Sequence, residues 1–136
     1  MPLIFEQESN VILDACRRVH SGLGCGFLEA VYQEALERVF QKSDIPYVRE
    51  ALLPIRFEGE LLSKYYQADF VCYGKIILEL KAISGFLPEH RAAVLNYLKA
   101  TGLRVAYLVN FGRPTLHWER MVAKDEWIAP MGKTTA

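Results

Sequence analysis

Residues 68–82 read ADFVCYGKIILELKA and place charged side chains inside two apolar, β-rich runs. The break at residues 73–75 predicts a tight turn between two antiparallel strands. Side chains alternate across a strand, so Glu79 and Lys81 share one face of the second strand. The antiparallel pairing brings Asp69, on the first strand, close to Glu79. Because burying charges is costly unless each has a partner, this trio predicts a site for a metal ion and a phosphate group.

The two converging carboxylates predict a hard divalent cation. Asp69 and Glu79 would repel each other unless a cation lies between them, and oxygen ligands suit Mg²⁺ or Mn²⁺. Such an ion activates water for hydrolysis of a phosphodiester bond, while Lys81 would orient the nucleophile or offset the developing negative charge. The alternative interpretation of Glu79 and Lys81 is a cross-strand ion pair on a solvated sheet face.

Glu29 is the third candidate carboxylate. It belongs to a predicted helix over residues 27–41, on or beside the apolar stripe that this helix buries. A solvated glutamate would not need that position, so Glu29 is a candidate metal ligand. The simpler alternative is that the helix dipole alone favours an acidic residue in the first turn.

Hydrophobic periodicity predicts the order ααβββαββ along the chain. Residues 22–26, GLGCG, follow no strand and lack a Lys-Ser/Thr pair, so they predict an interhelix turn and not a phosphate-binding loop. The order indicates an α/β (α+β) protein with a mixed β-sheet flanked by helices. The predicted helices cover residues 9–20, 27–41 and 88–100, and the predicted strands cover residues 47–57, 61–72, 76–82, 104–110 and 115–122.

Length and composition indicate one domain. The 136 residues are 51% hydrophobic, which allows a core without disulfide or metal crosslinks, and we assign residues 1–124 to this domain and residues 125–136 to a C-terminal tail. Lys plus Arg and Asp plus Glu balance at 16 each, so any phosphate-binding surface must be local. The spacing of the three cysteines predicts free thiols, and no signal peptide or membrane span is recognisable. We therefore expect a cytoplasmic protein with no membrane association.

Residues 26–32, GFLEAVY, resemble the signature of the GxxExxY family. The resemblance continues through residues 68–70, 77–81 and 95–102, and it ends near residues 110–112. This family is regarded as a branch of the PD-(D/E)XK nuclease-like superfamily. The resemblance therefore implies a restriction-endonuclease-like core and a substrate that is a nucleic acid.

The superfamily assembles one metal site from a helix glutamate, a strand aspartate and an E-x-K strand. The resemblance implies that Glu29, Asp69 and Glu79 bind Mg²⁺ or Mn²⁺, and that these three residues together with Lys81 are the catalytic residues. Ala68 stands where the superfamily name has a proline. That change is chemically silent because the proline is not a ligand.

A second departure concerns substrate positioning. RecB-like members and many GxxExxY sequences carry a glutamine four residues before the helical tyrosine, and here Ala93 precedes Tyr97. Alanine cannot make the hydrogen bonds of glutamine, which affects substrate positioning and not metal ligation. His90 shares a helical face with Tyr97 and is a candidate phosphate contact. Tyr32 and Tyr97 lie on helical stripes, which is typical of core residues, but we assign both, with His90, to substrate positioning.

Two functional classes remain open. The first is a metal-dependent nuclease, favoured because all four charged positions are present. The second is a catalytically weak or inactive module that binds nucleic acid or protein, favoured by the zero net charge and by Ala93. The expected partner is a nucleic acid, DNA in preference to RNA, and a homodimer would place two sites across a substrate that a small domain grips poorly.

Overall fold

The computed structural model describes residues 3–128, and its main helices and strands follow the predicted order ααβββαββ. The α+β class and the mixed sheet flanked by helices are confirmed. The helices are α1 Glu6–Leu23, α2 Glu29–Lys42 and α3 Pro88–Thr101, and the strands are β1 Tyr47–Phe57, β2 Glu60–Cys72, β3 Ile76–Lys81, β4 Val105–Asn110 and β5 His117–Val122.

The five strands form one sheet in which neighbours in sequence are also neighbours in space. Strands β3 and β4 pair in parallel, and all other neighbours pair antiparallel. A parallel pair needs a long crossover connection, and α3 supplies it between β3 and β4. These two inner strands are almost entirely buried, which explains why β4 is apolar on both faces.

Helices cover both faces of the sheet. Helices α1 and α2 pack on one face, against a core that includes Phe70, Leu78 and Leu80. Helix α3 packs on the other face, where the core includes Ile77 and Leu108. Successive side chains of β3 therefore enter opposite cores, and the two charged residues of β3 lie on the α3 face.

Strand β1 forms one edge of the sheet and is irregular along its length. Its pairing with β2 omits Glu50, whose φ of 52° is left-handed. The register is the same on both sides of Glu50 and shifts once, between Pro54 and Arg56. Proline lacks the N–H that a sheet ladder needs, so Pro54 is compatible with an edge strand.

The segment after β3 is fixed to the end of β4. Asn110 is fully buried, and its Oδ1 accepts hydrogen bonds from the N–H groups of Ile83 at 3.0 Å and Gly112 at 2.9 Å. Its Nδ2 donates to the Ile83 carbonyl at 2.9 Å. The Phe111 N–H donates to the Lys81 carbonyl at 2.7 Å. These bonds hold the backbone that follows Lys81 in one position, because a buried amide needs all of its partners.

The chain continues past β5 into a helical turn at residues 125–128. Trp127 and Ile128 are half-buried against the core on the α3 face. The rest of the predicted tail, residues 129–136, lies outside the described residues, so the domain boundary after residue 124 stays a prediction. None of the helices in residues 3–128 has the length and apolar character needed to cross a membrane.

Candidate functional site

Asp69 lies where strands β2 and β3 stop pairing, just beyond the pair Phe70–Leu78. The Asp69 N–H donates a hydrogen bond to Oε1 of Glu79 at 3.1 Å, and the Leu80 N–H donates to Oδ2 of Asp69 at 2.7 Å. Side-chain carboxylates thus replace backbone acceptors at the start of the gap between the strands. The structure brings the two strand carboxylates together, as the predicted antiparallel register requires.

Two further side chains contact Glu79 on the α3 face. Nζ of Lys81 lies 3.9 Å from Oε2 of Glu79, and the Lys81 side chain is 25% exposed. The buried Tyr97 of α3 donates its hydroxyl to the same Oε2 at 3.3 Å. Glu79 therefore lies between an ammonium group that can reach solvent and a neutral donor fixed by the core.

Glu29 is the first residue of α2 and approaches the site from the opposite helix layer. It lines a cleft of about 290 Å³ together with Asp69. Within residues 3–128, no three His, Cys, Asp or Glu side chains are grouped closely enough to hold a metal ion. Glu29 thus lines the cleft but does not form a group of three metal-ligand side chains with Asp69 and Glu79. Its role as a metal ligand stays a prediction. The other residues lining the cleft are Ala30, Gln33, Glu50 and Gln67.

Burial and mutual repulsion favour the protonated forms of these carboxyls. Burial, followed by the negative charge of Asp69, raises the pKa of Glu79 to about 8. Burial also raises the pKa of Asp69, although the Leu80 N–H opposes the shift. Burial and then the Asp69 charge raise the pKa of Glu29. A divalent cation would offset this crowding, and the all-oxygen donor set fits Mg²⁺ or Mn²⁺ in kind.

The raised pKa of Glu79 predicts a pH-dependent stability for the metal-free protein. Glu79 ionises near pH 4.5 in the unfolded chain but near pH 8 in the folded one, so the folded state binds more protons between these values. Stability should therefore fall as pH rises through this window. We expect Glu79→Gln to stabilise the protein at pH 8 by about 2 kcal/mol. One unit of pKa shift corresponds to about 1.4 kcal/mol, so the full pKa shift of Glu79 sets an upper bound above this value.

Urea unfolding in EDTA at pH 5 and pH 8 measures this effect. The exposed Glu34 of α2 provides the control, because Glu34→Gln leaves every hydrogen bond of Asp69 and Glu79 in place and should not reproduce the effect of Glu79→Gln. An equal difference between wild type and Glu79→Gln at the two pH values would contradict the assignment of the raised pKa to Glu79.

Two residues of the cleft escaped the sequence analysis. Gln33 is 6% exposed and donates from Nε2 to Oδ1 of Asp69 at 3.0 Å. Gln33 follows Glu29 by four residues, and residues four apart lie on the same face of a helix. This spacing could have identified Gln33 as a neighbour of the site. Glu50 lies across from Asp69 at the unpaired position of β1. No local pattern marks Glu50, because its place depends on the register between β1 and β2.

Tyr32 and His90 make their bonds away from the carboxylates. Tyr32 is fully buried, donates its hydroxyl to the Gly24 carbonyl at 2.6 Å and stacks on Phe111 at 4.7 Å between ring centroids. Nδ1 of His90 accepts the Leu87 N–H at 2.9 Å, which caps the start of α3. Tyr32 therefore fixes the turn before α2, and His90 fixes the entry to α3. Their predicted contact with substrate stays untested.

A larger cavity of about 550 Å³ lies between the β1–β2 hairpin, the end of α3 and the turn at residues 125–128. Its walls include Tyr66 and Trp127 but none of the predicted site carboxylates. Volume alone does not identify a catalytic site, whereas two carboxyls with raised pKa values, Glu29 and Asp69, line the smaller cleft. Glu79 and Lys81 do not line this cleft, although Glu79 accepts a hydrogen bond from the Asp69 N–H. The smaller cleft beside Asp69 is therefore the candidate site.

Fold and site together define the class of this protein: a mixed sheet with a restriction-endonuclease-like fold and an Asp plus E-x-K constellation at a gap between strands. A family model described as the PD-(D/E)XK nuclease superfamily matches residues 6–121, so the chain belongs to that superfamily. The matched range includes Glu29, Asp69, Glu79 and Lys81. No curated protein matches the chain.

Two solved structures share the fold. The crystal structure of SSO0001 superposes with a TM-score of 0.55 at 19% sequence identity, covering 96% of this chain and 67% of that one. The crystal structure of LHK-Exo in complex with dAMP superposes with a TM-score of 0.55 at 13% identity, covering 96% of this chain and 76% of that one. At these identities the likeness concerns the fold alone.

Proposed function

We propose that this protein is a metal-dependent nuclease that hydrolyses phosphodiester bonds of nucleic acid, and that it belongs to the GxxExxY branch of its superfamily. The observation that carries the proposal is the pairing of Asp69 and Glu79 in the gap between β2 and β3, with Lys81 next to Glu79. Superfamily membership and the fold shared with LHK-Exo, whose crystal structure contains dAMP, support it. We further propose a cytoplasmic location, DNA in preference to RNA as substrate, and a homodimer as the active form.

Each residue has a distinct task in this proposal. Asp69 and Glu79 would hold Mg²⁺ or Mn²⁺, with Glu29 contributing from the border of the cleft. The bound ion would supply Lewis-acid chemistry, lowering the pKa of a water molecule and offsetting charge on the phosphate. Lys81 keeps its ammonium group partly in solvent, where it can stabilise negative charge on an incoming phosphate. Tyr97 fixes the orientation of Glu79 through its hydroxyl.

A binding module is the second candidate function, and a specific observation favours it. Within the described part of the chain, no three ligand side chains form a closed metal set. In addition, both strand carboxylates already accept hydrogen bonds from protein donors. A protein of this kind would bind nucleic acid without cleaving it.

The direct test of the proposed function is a cleavage assay. Purified protein is incubated with single-stranded, duplex and branched DNA and with RNA, in the presence of Mg²⁺ or Mn²⁺ or with EDTA. Cleavage that requires the divalent ion supports the nuclease. Absence of cleavage on every substrate, with retained binding, would support the binding module instead.

The metal centre has a separate test that does not depend on turnover. We expect Asp69→Asn to weaken Mn²⁺ binding, because a negatively charged ligand becomes a neutral amide. Loss of a residue that only hydrogen-bonds to a metal ligand weakens binding by about 10- to 100-fold, and loss of the ligand itself should cost at least as much. Calorimetric titration measures the change. Asp14→Asn, at an exposed position of α1, serves as the control and should bind as wild type does. Equal binding by wild type and Asp69→Asn would remove the proposed metal centre.

A further inference from the structure

We infer that Gln33 is a positioning residue that holds the Asp69 carboxylate in the orientation the site needs, an inference that rests on the proposed function. The Gln33 amide is buried at 6% exposure on α2, and its Nε2 donates to Oδ1 of Asp69 at 3.0 Å. The other oxygen of Asp69, Oδ2, accepts the Leu80 N–H at 2.7 Å. Two donors from different elements thus fix both oxygens of one carboxylate.

The surroundings of Gln33 determine which end of its amide faces Asp69. Nη2 of Arg49 lies 3.1 Å from Oε1 of Gln33, and a guanidinium group can only donate. The amide oxygen must therefore face Arg49, which directs the N–H₂ group toward Asp69. Arg49 is fixed in turn, because its Nη1 donates to Oε1 of Glu37 at 2.8 Å. Tyr47 donates its hydroxyl to the other oxygen of Glu37 at 2.9 Å.

A neutral donor suits a carboxylate that must also bind a cation. An arginine in direct contact with Asp69 would neutralise the carboxylate and compete electrostatically with a metal ion. Gln33 keeps the Arg49 charge one side chain away while still orienting Asp69. Each carboxylate oxygen has a second lone pair, so the bonds from Gln33 and Leu80 leave acceptor capacity for a cation.

Gln33→Met tests the inference, since methionine has a similar length but no donor. We expect Mn²⁺ affinity to fall about tenfold, as outer-shell substitutions typically cause. The second readout is hydrogen exchange in the metal-free protein. The Leu80 amide donates to Asp69, so its exchange should accelerate when the Asp69 carboxylate becomes mobile. We expect an acceleration of about tenfold relative to the Leu108 amide of β4. Gln7→Met, at an exposed position of α1, is the matched control and should change neither quantity.

Gln33→Glu separates positioning from packing. Glutamate has nearly the same shape as glutamine and keeps an acceptor facing Arg49, but its ionised carboxylate has no proton to donate to Asp69. We expect the Leu80 amide to exchange faster in this variant too, even if Gln33→Met fails to fold. An unchanged Leu80 exchange rate in both variants would overturn the inference. If wild type binds no Mn²⁺, the proposed metal site fails, and the exchange measurement alone still decides the role of Gln33.

Discussion

Replacing Lys81 with alanine is expected to slow phosphodiester cleavage by about 100- to 1,000-fold, the usual cost of removing one group that stabilises charge in a transition state. The ammonium group is adjacent to Glu79, at 3.9 Å from its Oε2, and has access to solvent from which a phosphate would approach. Because the substitution removes positive charge beside a cation site, Mn²⁺ binding should be equal or stronger. Loss of rate with metal binding retained would separate a catalytic role from a structural one.

The measurement is the single-turnover cleavage rate on the substrate that wild type cuts best, together with calorimetric Mn²⁺ titration. Lys75→Ala is the matched control, since Lys75 lies just before the opposite end of β3 and pairs with Glu8 at 2.8 Å. Its cleavage rate should equal that of wild type. A Lys81→Ala protein that cuts at the wild-type rate would contradict the catalytic assignment of Lys81.

Replacing Gly112 with alanine is expected to destabilise the fold by about 3 kcal/mol or more, at the upper end of overpacking effects. A Cβ atom at this position would lie 2.3 Å from the Ile83 nitrogen, 2.5 Å from the Ile83 oxygen and 2.6 Å from the Ala82 carbonyl carbon. These are backbone atoms, so no side chain can rotate away. The backbone that would have to move begins directly after Lys81, so cleavage activity should fall together with stability.

Urea unfolding of Gly112→Ala and Gly85→Ala provides the comparison. Gly85 lies in the same connection between β3 and α3, but a Cβ atom there would meet nothing within 4 Å. Gly85→Ala should therefore unfold at a urea concentration close to that of wild type. A Gly112→Ala midpoint that matches the Gly85→Ala midpoint would show that the close approach of Gly112 to Ile83 contributes little to stability.

Local sequence patterns were sufficient to predict the order of helices and strands and the proximity of the two strand carboxylates. Apolar periodicity and turn residues identified each helix and strand, because those signals depend on a few neighbouring positions. The short turn between β2 and β3 fixed their register, which determined that Asp69 and Glu79 would meet. The predicted α+β class follows from these elements and agrees with the structure. The superfamily was predicted from the resemblance to the GxxExxY signature, and it agrees with the family match.

Contacts of the site between residues far apart in the sequence could not be predicted from local sequence patterns. Helical spacing placed Glu29 on the buried side of α2, but its distance from the strand carboxylates depends on how α2 packs on the sheet. The contact between Gln33 and Asp69 depends on the same packing, and the place of Glu50 depends on strand register. The bonds of Tyr32 and His90 involve residues of adjoining turns, where helical periodicity gives no information.

The irregular edge formed by β1 bears on aggregation. A long, regular edge strand offers a row of free N–H and C=O groups to which another chain can add a strand. In β1 that row is broken twice, by the left-handed backbone at Glu50 and by the register shift beside Pro54. Continuous sheet extension from this edge is thereby disfavoured. The opposite edge, β5, spans only six residues, so it too offers a short row of free backbone groups to another chain.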